Sequence, residues 1–123
     1  MDVELKVTPD KYLPYRYAGA SGDFNPIHLD PEFAKQVGLP SNILHGLYSM
    51  AQVARACTQA AGGDPRSLRR LSVQFRGMGL PEQEIVVTGS ATEEREDGAV
   101  LALEAAQRDK RIIRNAEAEI ATA

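Results

Sequence analysis

Three side chains that can exchange protons or hydrogen bonds lie within six residues of one another: the carboxylate of Asp23, the amide of Asn25 and the imidazole of His28. Pro26 stands between them, lacks a backbone N–H and disfavours a helical conformation at Asn25. The sequence therefore predicts that Asp23 and His28 lie on an irregular turn, which can aim both side chains at one point. A carboxylate and an imidazole held in this way can bind one water molecule and transfer its proton.

These residues also have purely structural interpretations. Asp next to a glycine such as Gly22 commonly hydrogen-bonds the backbone two residues further on, and most histidines are neither bases nor ligands. His45 precedes Gly46 at the predicted start of a long helix, where we expect it to anchor the loop rather than to take part in chemistry. Gly46 itself fits plain helix entry as well as close approach of a ligand to the backbone.

Three segments resemble one known family. The run Tyr17 to His28 reads Tyr-Ala-Gly-Ala-Ser-Gly-Asp-Phe-Asn-Pro-Ile-His. It resembles the Ser-Gly-Asp-x-Asn-Pro-(aliphatic)-His signature of the MaoC-like, (R)-specific enoyl-CoA hydratase family. Residues 43–50 and 73–77 are similar to its His-Gly helix start and to one of its strands, although Glu82 and Gln83 stand where that family commonly has Gly-Asp. Because such a string is improbable by chance, the resemblance favours Asp23 and His28 as a catalytic pair.

The resemblance implies a fold and an activity. The fold is the α+β hot-dog fold, an antiparallel sheet wrapped around a long central helix, with residues 1–123 as a single MaoC-like domain. The activity is that of a hydro-lyase, which hydrates trans-2-enoyl thioesters of coenzyme A or acyl carrier protein to (3R)-hydroxyacyl thioesters, or dehydrates them. No cofactor beyond the substrate's own carrier is implied. In this interpretation Asp23 and His28 activate water, the Gly46 N–H stabilises the thioester oxyanion, Asn25 orients the loop or the thioester, and Ser21 and Ser49 are weaker candidates in support.

Two other functions stay open. The chain is alternatively a non-catalytic or half-catalytic subunit that pairs with another hot-dog chain in a heteromeric dehydratase, although intact Asp23 and His28 argue against a dead subunit. It is alternatively an acyl-thioester hydrolase, since thioesterases share this fold, but hydrolysis leaves the Asn-Pro-x-His segment unexplained. Fold alone does not decide between these functions.

Composition limits the remaining possibilities. The chain has 123 residues, 43% hydrophobic and 25% charged, with a formal net charge of -3, which fits one globular domain. Mild acidity argues against nucleic-acid binding. The amino terminus lacks a signal-peptide pattern, and no apolar run approaches the ~20 residues of a membrane span. Together with a lone Cys57, expected to be a buried thiol, this predicts a cytoplasmic protein without a membrane partner.

Metal chemistry is not expected. Two histidines and one cysteine do not provide a zinc set at the usual spacing, and His28 and His45 are too far apart to form a helical pair. Basic residues concentrate in two places, where they form either a solvated surface or a binding site for the phosphates of a coenzyme A or carrier-protein arm. They are Arg66, Arg69, Arg70 and Arg76 in the first place and Arg108, Lys110, Arg111 and Arg114 in the second.

The hydrophobic pattern predicts the order of the elements. Residues 3–7 alternate as a strand does, a helix starts at Pro9, and Asp30 caps a two-turn helix that stops at Gly38. A long helix follows, with an apolar stripe formed by Ile43, Leu47, Met50, Ala51, Ala54, Cys57, Thr58 and Ala61, and with Gln52 on the opposite face. After Pro65, alternation with period two and short turns at Asp97 and Asp109 predict four antiparallel strands. The open sheet edge predicts a dimer, with itself or with another hot-dog chain.

Overall fold

One antiparallel sheet of five strands organises the molecule, whose computed structural model describes residues 1–122. The strands are β1 (Asp2–Val7), β2 (Leu68–Phe75), β3 (Ile85–Arg95), β4 (Gly98–Gln107) and β5 (Lys110–Ala121). Across the sheet they follow the order β1-β3-β4-β5-β2, so β1 and β2 are the edges. This confirms the early strand and the four consecutive strands predicted from alternation. Such strands can be predicted because a strand with one buried face alternates apolar and polar residues along the sequence.

A bulge interrupts the ladder between β4 and β5. Leu103 pairs with Ala116 and Ala105 pairs with Ile113, which leaves two residues of β5 opposite one of β4. Asn115 lies in the bulge with a φ of 50°, a left-handed conformation that Asn tolerates better than most residues. Its side-chain amide donates to Gln74 Oε1 at 3.1 Å, which ties the bulge to the edge strand β2. Such bulges bend and twist a strand, here on the sheet that contacts the long helix.

The long helix α4 (Gly46–Ala60) packs on the sheet through a face different from the predicted one. Its buried residues are Tyr48, Ser49, Gln52, Val53, Ala56 and Cys57. Leu47, expected inside, is 62% exposed, whereas Gln52, expected outside, is buried. Ala and other small residues occupy both faces of this helix, so the apolar stripe is ambiguous, and the bulkier Tyr48 and Val53 decide which face the sheet covers.

Three short helices precede α4: α1 (Leu13–Ser21), α2 (Pro26–Leu29) and α3 (Pro31–Gln36). The prediction for α3 is confirmed, since Asp30 caps it by accepting from the backbone N–H groups of Glu32 and Phe33. The predicted helix start at Pro9 is wrong. The helix begins four residues later, with Pro14 in its first turn, where the missing N–H costs no hydrogen bond.

Cys57 and Phe75 differ in burial. Cys57 is fully buried in the core, as predicted, and burial raises the pKa of its thiol to about 11. Phe75, at the end of β2, is 55% exposed. Within residues 1–122, no helix has the length and apolar character that crossing a bilayer requires.

The connection between β2 and β3 is fixed to the end of β4 by Gln107. This buried amide accepts from the Leu80 N–H at 2.7 Å and donates to the carbonyls of Leu80 and Gln83 at 2.8 and 3.0 Å. Next to it, Glu82 has a φ of 69°, in the region where glycine is favoured, and its N–H bonds the Pro9 carbonyl. The connection therefore keeps a glycine-like turn at Glu82.

Two glycines provide a matched test of the packing. A Cβ at Gly89 in β3 would lie 2.6 Å from the Ala102 carbonyl oxygen and 2.8 Å from Leu103 Cγ, whereas a Cβ at Gly19 in α1 would meet nothing within 4 Å. We expect Gly89→Ala to lower the free energy of unfolding by about 1–3 kcal/mol through overpacking. Gly19→Ala should raise it by roughly 0.5–1 kcal/mol through helix propensity. Urea denaturation measures both, and equal stability of the two variants would contradict this packing.

Candidate active site

Asp23 and His28 lie close together, with one polar atom of each side chain facing the other. Asp23 Oδ2 lies 3.7 Å from His28 Nε2, too far for a direct hydrogen bond. The carboxylate is half exposed, whereas the imidazole is buried. Asp23 Oδ1 accepts from the Asn25 N–H at 3.2 Å, and the Asp23 N–H donates to Ser21 Oγ at 3.2 Å. The structural role considered for Asp23 is therefore present, and it leaves Oδ2 free to face the histidine.

The other ring nitrogen of His28 determines which tautomer the ring adopts. Nδ1 lies 2.8 Å from the Ile43 carbonyl oxygen. Because a carbonyl only accepts, Nδ1 must carry the hydrogen in this bond. In the neutral ring, Nε2 is then an unprotonated acceptor directed at the Asp23 carboxylate side. The pair presents two proton acceptors to the same small space.

His45 contacts both members of the pair. Its Nε2 lies 3.0 Å from the Asp23 carbonyl oxygen, so this nitrogen donates, and its ring stacks on His28 with 3.9 Å between centroids and 20° between planes. Tyr17 packs on the ring of His45, 4.7 Å between centroids. Within the described part of the chain, His45 Nδ1 is the one buried side-chain polar atom without a partner. These contacts agree with the loop-anchoring role expected for His45.

Sequence reasoning placed Asp23 and His28 on one irregular turn, and this is wrong for His28. Asp23 lies in the loop after α1, but His28 lies on the one-turn helix α2. Pro26 keeps Asn25 out of the helix, as expected, yet it also begins α2, since its fixed φ suits a first helical residue. Asn25 caps α2 by accepting from the Ile27 N–H at 3.2 Å, which gives it a role in orienting the loop.

A second segment, residues 42–45, fixes the position of α2 through hydrogen bonds. The Ile43 N–H donates to the Ile27 carbonyl at 3.0 Å, and Asn42 Nδ2 donates to the His28 carbonyl at the same distance. Asn42 is buried, and sequence reasoning missed it. A polar Asn directly before the apolar Ile43-Leu44 pair is the signal that could have identified it, because a buried amide requires partners.

Gly46 begins α4, as predicted, and its surroundings include an aromatic ring. The first N–H groups of a helix have no partner within the helix and lie at the positive end of its dipole. A Cβ on Gly46 would come within 3.2 Å of the Phe75 ring, so a side chain here would push that ring aside. Ser49, the weaker candidate one turn further on, is buried.

Three exposed apolar residues lie next to these polar residues in the chain or in space. Phe24 and Leu47 directly follow Asp23 and Gly46 in the chain and are 61% and 62% exposed, and Phe75 lies over Gly46. Exposed large apolar residues that flank a polar site mark a binding surface more often than scattered ones do. Sequence reasoning did not identify them, because the hydrophobic pattern does not indicate which single apolar residues are exposed.

The fold brings His28 and His45 together, although they are far apart in the sequence. Asp23, His28 and His45 each offer a potential metal ligand, and these atoms all lie within 4.8 Å of one another. The argument that His28 and His45 are too far apart in the sequence to share a metal was therefore wrong. Two of the four ring nitrogens already donate to backbone carbonyls, and stacked rings direct their remaining lone pairs along nearly parallel planes. The expectation of a site without metal stays a prediction.

Comparison with known proteins gives a consistent family. A family model described as MaoC like domain matches residues 1–112. The peroxisomal enoyl-CoA hydratase 2 of Arabidopsis thaliana is 37% identical over 84 residues, which are 68% of this chain and 26% of that protein. The fatty acid synthase subunit beta of Schizosaccharomyces pombe is 42% identical over 89 residues, 70% of this chain and 4% of that protein. The chain thus spans about a quarter or less of the length of these two relatives.

One solved structure is similar over nearly its full length. The (R)-hydratase from A. caviae involved in PHA biosynthesis superimposes with a TM-score of 0.86 at 24% identity, covering 98% of this chain and 92% of that one. At this identity the likeness concerns the fold. The predicted hot-dog fold is confirmed.

The anchoring by His45 is open to a direct test. His45→Phe keeps a ring to stack on His28 but removes the hydrogen bond to the Asp23 carbonyl, so we expect the free energy of unfolding to fall by about 1 kcal/mol. Hydrogen exchange at the Asn25 N–H should accelerate. Tyr17→Phe is the matched control, because within residues 1–122 the Tyr17 hydroxyl makes no hydrogen bond. Unchanged exchange at Asn25 in His45→Phe would refute the anchoring.

Proposed function

The chain belongs to the MaoC-like domain family, and from that membership we propose that it hydrates trans-2-enoyl thioesters to (3R)-hydroxyacyl thioesters, or catalyses the reverse dehydration. One observation carries the proposal: Asp23 Oδ2 and His28 Nε2 lie 3.7 Å apart, with His28 Nδ1 bonded to the Ile43 carbonyl. The relatives named hydratase and fatty acid synthase subunit support this reaction class. We further propose that residues 1–123 form one hot-dog domain that acts in the cytoplasm.

The proposed reaction adds the elements of water across the C2–C3 double bond. A water molecule bound to one side of Asp23 Oδ2 and His28 Nε2 can donate to both acceptors at once. As its oxygen attacks C3, the pair takes a proton from the water, and the pair then returns a proton to C2, so that the elements of one water molecule are added. An imidazolium formed at His28 would be stabilised by the Asp23 carboxylate on one side and the Ile43 carbonyl on the other. Which of the two residues takes the proton stays open in this proposal.

Negative charge that builds on the thioester oxygen during the attack needs fixed donors. We assign this role to the Gly46 N–H at the start of α4, where the helix dipole favours negative charge. The exposed Phe24, Leu47 and Phe75 supply apolar surface for the acyl chain. Asn25 acts through the loop, since its side-chain oxygen is used in capping α2.

Hydrolysis of the thioester is the nearest rival reaction in this fold. It would use the same water but direct it at C1. The Asn25 cap and the Ile43 bond to His28 Nδ1 orient the imidazole toward Asp23 for either reaction. The relative of this chain that is named enoyl-CoA hydratase 2 supports addition to the double bond. We therefore place hydration first.

We also propose that the chain pairs with a second hot-dog chain, either a copy of itself or a different one. Edge strand β2 has one unpaired side and ends at the exposed Phe75, close to Gly46. Covering this edge would satisfy open backbone groups and shield apolar surface at the site. A partner-dependent subunit is the version of this proposal in which the chain alone is inactive.

Loss of absorbance of crotonyl-CoA and of a longer enoyl-CoA tests the proposed reaction. We expect turnover by the wild type and a reduction of roughly 10²–10⁴-fold in Asp23→Asn and in His28→Gln, because each removes one acceptor for the water proton. Asp97→Asn, in the exposed turn before β4, is the control and should keep full activity. All variants should melt at similar temperatures.

The same assay can overturn the proposal. Absence of turnover by a folded dimer at every chain length would reject hydration by this chain alone. Release of free thiol from a saturated acyl-CoA would favour the hydrolase instead.

The oligomeric state has its own test in light scattering at micromolar concentration. We expect twice the mass of one chain, because an unpaired β2 edge next to exposed apolar groups favours association. A monomer would contradict self-association, and activity that returns only after mixing with another hot-dog chain would identify a heterodimer.

A further inference from the structure

The short helix α2, which carries His28, depends on hydrogen bonds from outside itself. A one-turn helix is marginal on its own, and the carbonyls at its C-terminal end have no partner within the helix. The carbonyls of Ile27 and His28 are two of these. The Ile43 N–H bonds the first and Asn42 Nδ2 bonds the second, both at 3.0 Å. Residues 42–43 therefore complete the end of α2.

The same two residues also hold the imidazole of His28. His28 Nδ1 donates to the Ile43 carbonyl at 2.8 Å, so the ring and the backbone carbonyl of one residue are bonded to two consecutive residues. A ring that is held by a single hydrogen bond still moves when its own backbone shifts. Because the carbonyl is held as well, such a shift has to break the bond to Asn42. The position of His28 Nε2 opposite Asp23 therefore depends on Asn42.

Both ends of the Asn42 amide are used. Ser41 Oγ donates to Asn42 Oδ1 at 3.1 Å, and Asn42 Nδ2 donates to the His28 carbonyl. A carbonyl only accepts hydrogen bonds, so the nitrogen end of the amide must face His28. Asn42 is 6% exposed, which keeps bulk water from replacing the donor when the amide is removed. The bond to His28 is thus costly to lose.

The segment that carries Asn42 is itself fixed on two sides. The Leu44 N–H donates to the Gly79 carbonyl at 2.8 Å, which joins the segment to the connection after β2. His45 Nε2 lies 3.0 Å from the Asp23 carbonyl oxygen, which joins it to the loop after α1. A functional group keeps its geometry when the residues that support it are locked by hydrogen bonds of their own. Asn42 is placed to give His28 such support.

A buried asparagine in this position has either of two roles, and they differ in their effect on the folded protein. If Asn42 only stabilises the fold, its loss lowers stability, and the molecules that are still folded keep their full turnover. If Asn42 positions His28, the folded molecules themselves turn over more slowly. A misplacement of about 1 Å in a catalytic group can reduce a rate by roughly 100-fold.

We infer that Asn42 is a positioning residue: through the His28 carbonyl it holds the imidazole with its Nδ1–H on the Ile43 carbonyl and its unprotonated Nε2 toward Asp23. The inference rests on the proposed function, which gives His28 a proton to accept. Asn42 acts through the backbone of His28 and is assigned no contact with the substrate. Its loss therefore affects turnover rather than substrate binding.

The first test compares Asn42→Ala with Asn115→Ala, which remove the same kind of side chain. Asn115 Nδ2 also donates one hydrogen bond, to Gln74 Oε1 at 3.1 Å, and it lies in the β4–β5 bulge. Both variants are assayed with crotonyl-CoA well below their melting temperatures. We expect Asn42→Ala to lower kcat about 10–100-fold with KM nearly unchanged, and Asn115→Ala to keep both constants. An unchanged kcat in folded Asn42→Ala overturns the inference, as does an equal loss of kcat in the two variants.

The second test observes the imidazole directly and needs no turnover. The chain has two histidines, so a nitrogen NMR spectrum of the rings contains two sets of signals, which His45→Phe assigns. In the neutral ring of His28 we expect the single Nδ1–H tautomer in the wild type and in Asn115→Ala. We expect a mixture of both tautomers in Asn42→Ala, because the ring is no longer held against the Ile43 carbonyl. A single Nδ1–H tautomer in Asn42→Ala overturns the inference.

Together the two tests separate this inference from the proposed function. If the wild type hydrates no enoyl thioester but the tautomer changes in Asn42→Ala, the proposed function fails and the support of His28 by Asn42 stands. If the wild type hydrates crotonyl-CoA and Asn42→Ala matches Asn115→Ala in both tests, the inference alone fails. Should Asn42→Ala not fold, Asn42→Ser takes its place, because it removes the amide but keeps a polar group in the buried space. The same outcomes then decide.

Discussion

The stack of His45 on His28 is the contact on which the arrangement of the site depends. His28 belongs to α2, His45 directly precedes α4, and Asp23 lies on the loop after α1. Each ring also donates to a backbone carbonyl of another segment, Ile43 in one case and Asp23 in the other. Two rings and two hydrogen bonds thus join three segments that are separate in sequence, and they fix the separation between the carboxylate and the imidazole.

The rest of the fold keeps this cluster in position without taking part in it. The sheet buries one face of α4 through Val53 and Cys57, which sets where the helix begins and hence where His45 and Gly46 lie. The connection after β2 carries Phe75 to Gly46 and then follows Gln107 to the end of β4. One stretch of backbone therefore begins beside Gly46 and continues to the turn that Gln107 fixes.

Much of the sheet could be predicted from sequence because its signal is local. Alternation along β3, β4 and β5 reflects which side chains are buried, and the cap at Asp30 acts over two or three residues. The buried face of α4 could not be predicted, since alanines on both sides leave the choice to distant strands. The meeting of His28 with His45, and the support from Asn42, depend on chain segments whose approach no local pattern encodes.

The buried thiol of Cys57 has a practical consequence. It is the single cysteine of the chain, it has no exposed surface, and burial raises its pKa to about 11. A thiol that is both inaccessible and protonated near neutral pH does not compete for alkylating reagents. The native protein is therefore already a background for site-specific spectroscopic labels. One cysteine introduced at an exposed position such as Leu47 would carry a single spin or fluorescent probe without removal of any natural residue from the core.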